Sequence, residues 1–237
     1  MHENEVLRSA VVKGLKLDDG ELELINRQSL KTLTAEDVYV FKVAACNNQV
    51  DRDFEKFSDA VLSDMAAIYP GKTMVYDHNW SASKQTARIY AASVETMEGV
   101  VGGKQLVLRV YMLKTESTAD VIAQIEGGIL REVSVGARCD SAICGICGAD
   151  KRKVFCEHRR GAVYDGTTCI VQLDKASDVY EVSFVAVPAQ PAAGVTKTYG
   201  GEEVPPADDA KNGSAELERK LRLRRAKIKM LKIETEE

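Results

Sequence analysis

A succession of short runs rich in β-branched and aromatic residues, most of them flanked by Gly, Pro or Asn, is what most restricts the fold of this chain. "DVYVFKVAAC" at 37–46 is the first, and Asn47-Asn48 with the "DRD" that follows predicts a turn or loop. "TMVYDHNW" predicts a short strand running into a polar loop. "ARIYAASVE" and "KQLVLRVYML" flank a loop holding Gly99, Gly102 and Gly103, which predicts a hairpin. "LREVSVGAR", "VYDGTTCIVQL" and "DVYEVSFVAVP" add three strands, the last halted by Pro188 and unable to continue through "AQPAAG". Only two stretches in this body carry a helical apolar period. "SDAVLSDMAAIYPGK" offers Ser58 as cap, Val61, Leu62, Met65 and Ile68 as stripe, and Pro70-Gly71 as stop. "STADVIAQIEGG" offers Ser117 or Thr118 as cap, Val121, Ile122 and Ile125 as inward face, and Gly127-Gly128 as end. Many strands with two interspersed helices predict an α+β fold built on a mainly antiparallel sheet or barrel.

The 237 residues suffice for one good core with an appendage. A net charge of −4 argues against the whole chain being a polyanion binder. No apolar run approaches the about 20 residues of a membrane helix, and "MHENEVLRSA" lacks the apolar segment of a signal peptide. The expectation is a protein that stays in the compartment where it is made. Residues 200–215, "GGEEVPPADDAKNGSA", have the composition of a flexible linker. Beyond it, 216–237 holds eight Lys/Arg, with Leu217, Leu221, Ile228 and Leu231 on a 4-3-4-3 spacing that Arg224 completes. This predicts a basic helix, able to meet nucleic acid, an acidic protein face or a membrane surface, or simply to be a solvated tail. Few aromatics accompany it, so base stacking on nucleic acid is not indicated. The chain thus divides into a body at 1–199, a linker and a basic helix.

Four groups of residues carry chemistry. In "LREVSVGAR", strand alternation puts Val133, Val135 and Ala137 on one face and Glu132, Ser134 and Gly136 on the other. Ser134 then has a glycine beside it that leaves room for a substrate, an arrangement suited to a nucleophile and equally to a solvent-facing serine. Of the three histidines, His2 lies near the end of the sequence, and His78 sits at a strand end beside Asp77, where a general base can be held on a loop by a rigid scaffold. A surface histidine in a polar loop is the plainer reading. Glu181 and Ser183 share one face of their strand; a carboxylate beside an imidazole orients it and stabilises its charged form. Finally, Cys144, Cys147, Cys156 and His158 make a C-x2-C-x8-C-x-H pattern within a Cys-rich insert at about 139–160. Four ligands at short spacing suit tetrahedral zinc, and a full protein set makes the ion structural, with none required for catalysis. Cys139 and Cys169 are possible substitutes for one ligand, and Cys46 reads as a core residue.

Taken in order, "VDRDFEKFSDAVL", "VYDHNW", "ADVIAQIEGGILREVSVGAR" and "YEVSFVAVPAQPAAGV" resemble the prohead proteases of tailed phages, capsid-maturation serine proteases related in fold to the herpesvirus assemblins. The resemblance covers about residues 37–196, and the Cys-rich insert resembles a variant within that family. It implies a β-barrel flanked by helices, here with a small zinc-knuckle insert. It implies Ser134 as nucleophile and His78 as general base. An acidic residue of the E-V-S strand, Glu181, is implied as the third member, with Asp77 and Asp178 behind it. The herpesvirus relatives use a second histidine there, for which His158 is the remaining candidate. The implied activity is endopeptidase cleavage of scaffold and major capsid protein precursors inside proheads in the host cytoplasm, with self-cleavage and self-association. On this view the linker at 200–215 is a self-cleavage zone and the basic helix holds the enzyme to scaffold or capsid. Gly136 and Arg138 lie near enough in sequence to be tested as oxyanion donors. Two other classes of function stand beside this one. One is a protease-like module that no longer cuts and serves assembly. The other is a nucleic-acid binder built on the knuckle and the basic tail.

Overall fold

The structure, a computed structural model, describes residues 17–199. His2, the linker and the basic helix lie outside the described residues. Three α-helices, α1 (Asp19–Asn26), α2 (Asp59–Ile68) and α3 (Glu116–Glu126), accompany ten strands. These are β1 (Val38–Asn47), β2 (Glu55–Phe57), β3 (Thr73–Tyr76), β4 (Ala87–Thr96), β5 (Lys104–Leu113), β6 (Val133–Cys144), β7 (Val163–Tyr164), β8 (Thr167–Thr168), β9 (Val171–Phe184) and β10 (Gly194–Tyr199). The fold class is α+β, as the sequence predicts.

The strands are mainly antiparallel, as expected, but they do not close into the expected β-barrel. Eight strands make one mixed sheet in the order β10-β1-β5-β4-β3-β9-β2, with β6 paired to β9. Both β2 and β3 run parallel to β9; the other pairings are antiparallel. At the place where a barrel would close, β6 and β10 meet only at the Glu132–Gly194 bridge. Closure needs a ladder between these strands; β10 forms its ladder on one edge, with β1 from Gly194 opposite Ala44 to Tyr199 opposite Val40, and among the described residues its other edge makes only that bridge.

β1 explains why the sheet can carry helices on both faces. Tyr39, Phe41, Val43 and Ala45 point into the main core, with Val61, Leu62 and Met65 of α2 and Ile125 of α3. Val38 and Val40 point the other way, into a smaller cluster with Ile25 of α1, Tyr90 and Tyr111. A strand buried on both sides reads as an almost unbroken apolar run, as "VYVFKVAAC" does. Ser58 caps α2 by accepting from the Val61 N–H. For α3 the cap is Thr115, not Ser117 or Thr118; Thr118 instead closes a reciprocal box with it. β6 continues through Cys139 to Cys144, so the first positions of the expected insert are strand. Among the described residues no helix is long and apolar enough to cross a membrane.

Candidate active site and metal centre

β9 is the axis of the site. Its register sets Glu181 opposite Gly136 and Ser183 opposite Ser134 on β6, and Glu181 beside Thr73 and Ser183 beside Val75 on β3. β3 then ends in a tight turn that brings His78 back over β9. Asp77 and His78 both adopt left-handed backbone, φ 50° and 52°. Such residues cost about 1 kcal/mol or more each and are tolerated where neighbours hold them. Here the Asp77 N–H donates to the Phe184 carbonyl at 3.0 Å, and the His78 N–H donates to Ser183 Oγ at 2.9 Å.

The turn delivers His78 Nδ1 to 2.8 Å from Glu181 Oε1. Glu181 is buried, and its second oxygen, Oε2, accepts from Ser183 Oγ at 2.5 Å. A carboxylate only accepts, so Nδ1–H is the donor of this bond, and the neutral ring has its lone pair at Nε2. The imidazole is held in the tautomer a general base needs, at a half-exposed position. Of the alternatives for the third member, Asp178 is occupied by Lys72 at 3.1 Å, whose ammonium holds its carboxyl below the usual range. His158 belongs to the Cys cluster described below.

Ser134 occupies the neighbouring strand, half-buried and across the pair from Ser183. The structure thus joins His78 to Glu181 and sets Ser134 alongside; no Ser134–His78 hydrogen bond forms among the described residues. A cavity of about 190 Å³ borders Ser134, with Val135, Cys46, Asp53, Glu55 and Arg152 in its walls. The room above Gly136, expected for substrate, is filled by Glu181. A Cβ at Gly136 would overlap Oε1 and lie 3.0 Å from Cδ. Arg138 stands four residues beyond Ser134, about 13 Å along an extended strand, too far to donate to a carbonyl held at Ser134. Its guanidinium pairs with Asp140 at 3.3 Å.

Ser183 is the residue whose role the sequence did not disclose. Its i, i+2 spacing from Glu181 shows a shared face, but only the turn at 77–78 makes it bridge the His78 backbone and the Glu181 carboxylate. Ser183→Ala leaves one buried carboxylate oxygen and one N–H without their partner. It is expected to destabilise the fold by about 1–3 kcal/mol in urea unfolding, whereas Ser183→Thr, which keeps the hydroxyl, should recover part of that loss.

The metal-ligand set assembles at the other end of β6 and β9. The Sγ atoms of Cys144, Cys147 and Cys156 and a ring nitrogen of His158 all lie within 4.8 Å of one another. Cys147 and Cys156 Sγ are 3.5 Å apart, and Cys156 Sγ is 3.4 Å from His158 Nδ1. A tetrahedral ion with bonds of about 2.0–2.3 Å needs separations of about 3.5–3.8 Å, so the donors fit one. Burial raises the Cys144 thiol, but the N–H groups of Cys147 and Ile146 and the neighbouring thiols outweigh it and bring it down to about 6, favouring the thiolate a metal binds. Gly145 is required for the turn, since a Cβ there would press 2.7 Å from the Ile170 carbonyl oxygen. Of the proposed substitutes, Cys139 is in the main core, where burial pushes its thiol up to about 11. Cys169 backs Cys144 at 3.8 Å without joining the group. Cys46 is a core residue, as expected.

The loop is fastened to the body at several points. Asp150 accepts from Ser141 Oγ at 2.6 Å and the Ala142 N–H at 3.0 Å, Arg160 pairs with Glu55, and the His158 ring meets Tyr164 edge-on at 4.6 Å. An ion held by these four ligands would cross-link the loop and leave no open coordination position. Stripping it with a chelator is expected to lower the melting temperature by about 10 °C, the shift that follows from losing a ligand present at a thousand times its Kd. An unchanged melting curve together with no metal in elemental analysis would rule the centre out. Comparison of the chain with family models, with curated proteins and with solved structures gives no match.

Proposed function

We propose that this chain is a serine endopeptidase of the prohead-protease type, with Ser134 as nucleophile, His78 as general base and Glu181 as the carboxylate that orients it. The observation that carries the reading is the 2.8 Å bond between His78 Nδ1 and the buried Glu181, one strand from Ser134. Nε2 of His78 takes the Ser134 proton as Oγ attacks a peptide carbonyl. The acyl-enzyme forms as the leaving amine takes that proton back from Nε2, and water then releases the acyl group by the same route in reverse. Glu181 holds the imidazolium formed in each half-reaction and keeps its own proton count. Backbone N–H groups stabilise the oxyanion, with Gly136 a candidate donor.

The sequence resemblance supplies the rest of the proposal. The substrates are scaffold and major capsid protein precursors, cut within the assembling prohead in the host cytoplasm, with self-cleavage in the linker at 200–215. The sheet, curled until β6 meets β10, is an opened form of the assemblin-like barrel. The ion of the Cys144/Cys147/Cys156/His158 set is structural zinc. The missing Ser134–His78 hydrogen bond favours one rival, a protease-like assembly module that no longer cuts.

Mass spectrometry separates the two. The purified full chain, wild type or Ser134→Ala, is incubated alone and with its neighbouring scaffold and capsid precursors. Fragments that require the intact serine are expected. Absence of fragments from either protein, with particle assembly still dependent on the chain, would establish the module instead.

A further inference from the structure

A second feature borders the His78–Glu181 pair and has no part in orienting the imidazole. Where β9 passes β6, Gly136 pairs with Glu181 but Ala137 pairs with Val179, so Tyr180 is an extra, unpaired residue. A bulge of this kind turns a side chain out of the alternation and is frequent beside active sites. Here it sends the Tyr180 ring outward against Trp80, at 5.1 Å between centroids. Trp80 lies two residues beyond His78 and is 69% exposed, with Tyr180 at 38%. The two rings border a cavity of about 430 Å³ that Thr73, Val75, Ala82 and Glu181 also line.

Two exposed aromatic rings packed together at the rim of one cavity form an apolar patch of the kind that marks a ligand groove. What covers it follows from the charges around the cavity. Lys72 is neutralised by Asp178 at 3.1 Å, and Glu181 spends its oxygens on His78 and Ser183. Neither ionic group in the wall is left to meet a charged ligand. The remaining surface is aromatic, aliphatic and small apart from Gln85, whose Oε1 already accepts from Arg88 at 3.2 Å. We propose that the Trp80–Tyr180 platform is a substrate subsite that takes a large uncharged apolar side chain of the peptide being cut, next to the scissile bond. This rests on the protease reading for the identity of the ligand as substrate, though the platform itself does not depend on cleavage.

Trp80 is the single tryptophan of the 237-residue chain, so its emission reports the platform alone. The probe is a set of decapeptide libraries, each with one position fixed as Leu, Phe, Lys, Glu or Gly and the others randomised. Titrated into full-length Ser134→Ala protein, the Leu and Phe libraries are expected to shift Trp80 emission at concentrations at least tenfold lower than the Lys, Glu and Gly libraries. In the wild type, kcat/KM should favour Leu and Phe at one position. Trp80→Ala and Tyr180→Ala should each reduce that preference by about tenfold to a hundredfold, the worth of one buried apolar side chain. Trp80→Phe, which keeps a ring, should restore most of it. Equal emission responses to all libraries overturn the subsite. So does a Leu/Phe preference that survives both alanine variants while cleavage still needs Ser134, and in that case the protease reading stands. The apolar emission pattern without Ser134-dependent cleavage has the opposite meaning: the platform binds apolar peptide, and the protease reading falls.

Discussion

The Ser134→Ala and His78→Ala variants are each expected to lose about ten-thousandfold or more in kcat, and the double variant to lose no more than the worse of the two. In the proposed mechanism the residues act as one device. Without Oγ, the Nε2 lone pair of His78 has no proton to accept; without the imidazole, Oγ stays a weakly nucleophilic hydroxyl at neutral pH. The second deletion therefore removes something already idle. Glu181→Gln should fall by about a thousandfold to ten-thousandfold, because the side chain keeps its shape while the acceptor that fixes the Nδ1–H tautomer is altered. Fragment yield by mass spectrometry under single-turnover conditions reads all four proteins. Losses that multiply in the double variant would mean that Ser134 and His78 work independently, and the assignment of a shared mechanism would fail.

Among the described glycines, Gly136→Ala should be the most damaging substitution. It adds a Cβ where Glu181 Oε1 now lies. The carboxylate cannot retreat, because Glu181 is buried and its other oxygen is bonded to Ser183. Either β6 moves away from β9 or Glu181 leaves His78. Forcing extra volume into a packed site costs about 1–3 kcal/mol, and leaving the buried Glu181 oxygen without its hydrogen-bond partner costs about the same. The expected loss in urea unfolding is thus about 1–3 kcal/mol, with cleavage reduced to the level of Glu181→Gln. Proton NMR gives a direct check, since the downfield His78 Nδ1–H resonance should vanish. A variant as stable and as active as the wild type would show that Glu181 does not lie over this strand.

Much of this arrangement is legible in the sequence, and the parts that are not share a cause. β1, the hairpin of β4 and β5, α2 and the strand of Ser134 all declare themselves through local period and turn residues. α1 escapes because it is eight residues long and contains Gly20, so its apolar signal amounts to little more than Leu22, Leu24 and Ile25. β10 escapes because Pro188 and Pro191 before it read only as the end of the preceding strand, while its partner β1 lies some 150 positions earlier. Barrel closure is not a local property either: strand propensity says that a run will pair, not with which edge. The same limit governs the site. Ser134, His78, Glu181 and the four candidate metal ligands are visible as residue types at telling positions. The part of Gly136 in making room for Glu181, and of Ser183 in bridging to His78, exists only once β6, β9 and the turn at 77–78 are side by side.

The antiparallel ribbon of β6 and β9 runs from Ser134 opposite Ser183 to Cys144 opposite Val171. The proposed catalytic residues sit at one end of it and the cysteines at the other, about 30 Å apart along the strands. That is several Debye lengths at physiological salt, so the charge of an ion at the far end has no electrostatic voice in the chemistry. The two ends are therefore independent in strand register, and they touch through the loop's own side chains: Arg152 lines the cavity beside Ser134, and Arg160 pairs with Glu55 in its wall. The registers that align Ser134, Gly136, Glu181 and Ser183 are set within four residues of each strand, and the loop joining the distal tips can lengthen, shorten or trade its ligands without re-registering them. The fold offers one end as a fixed tool and the other as an interchangeable handle.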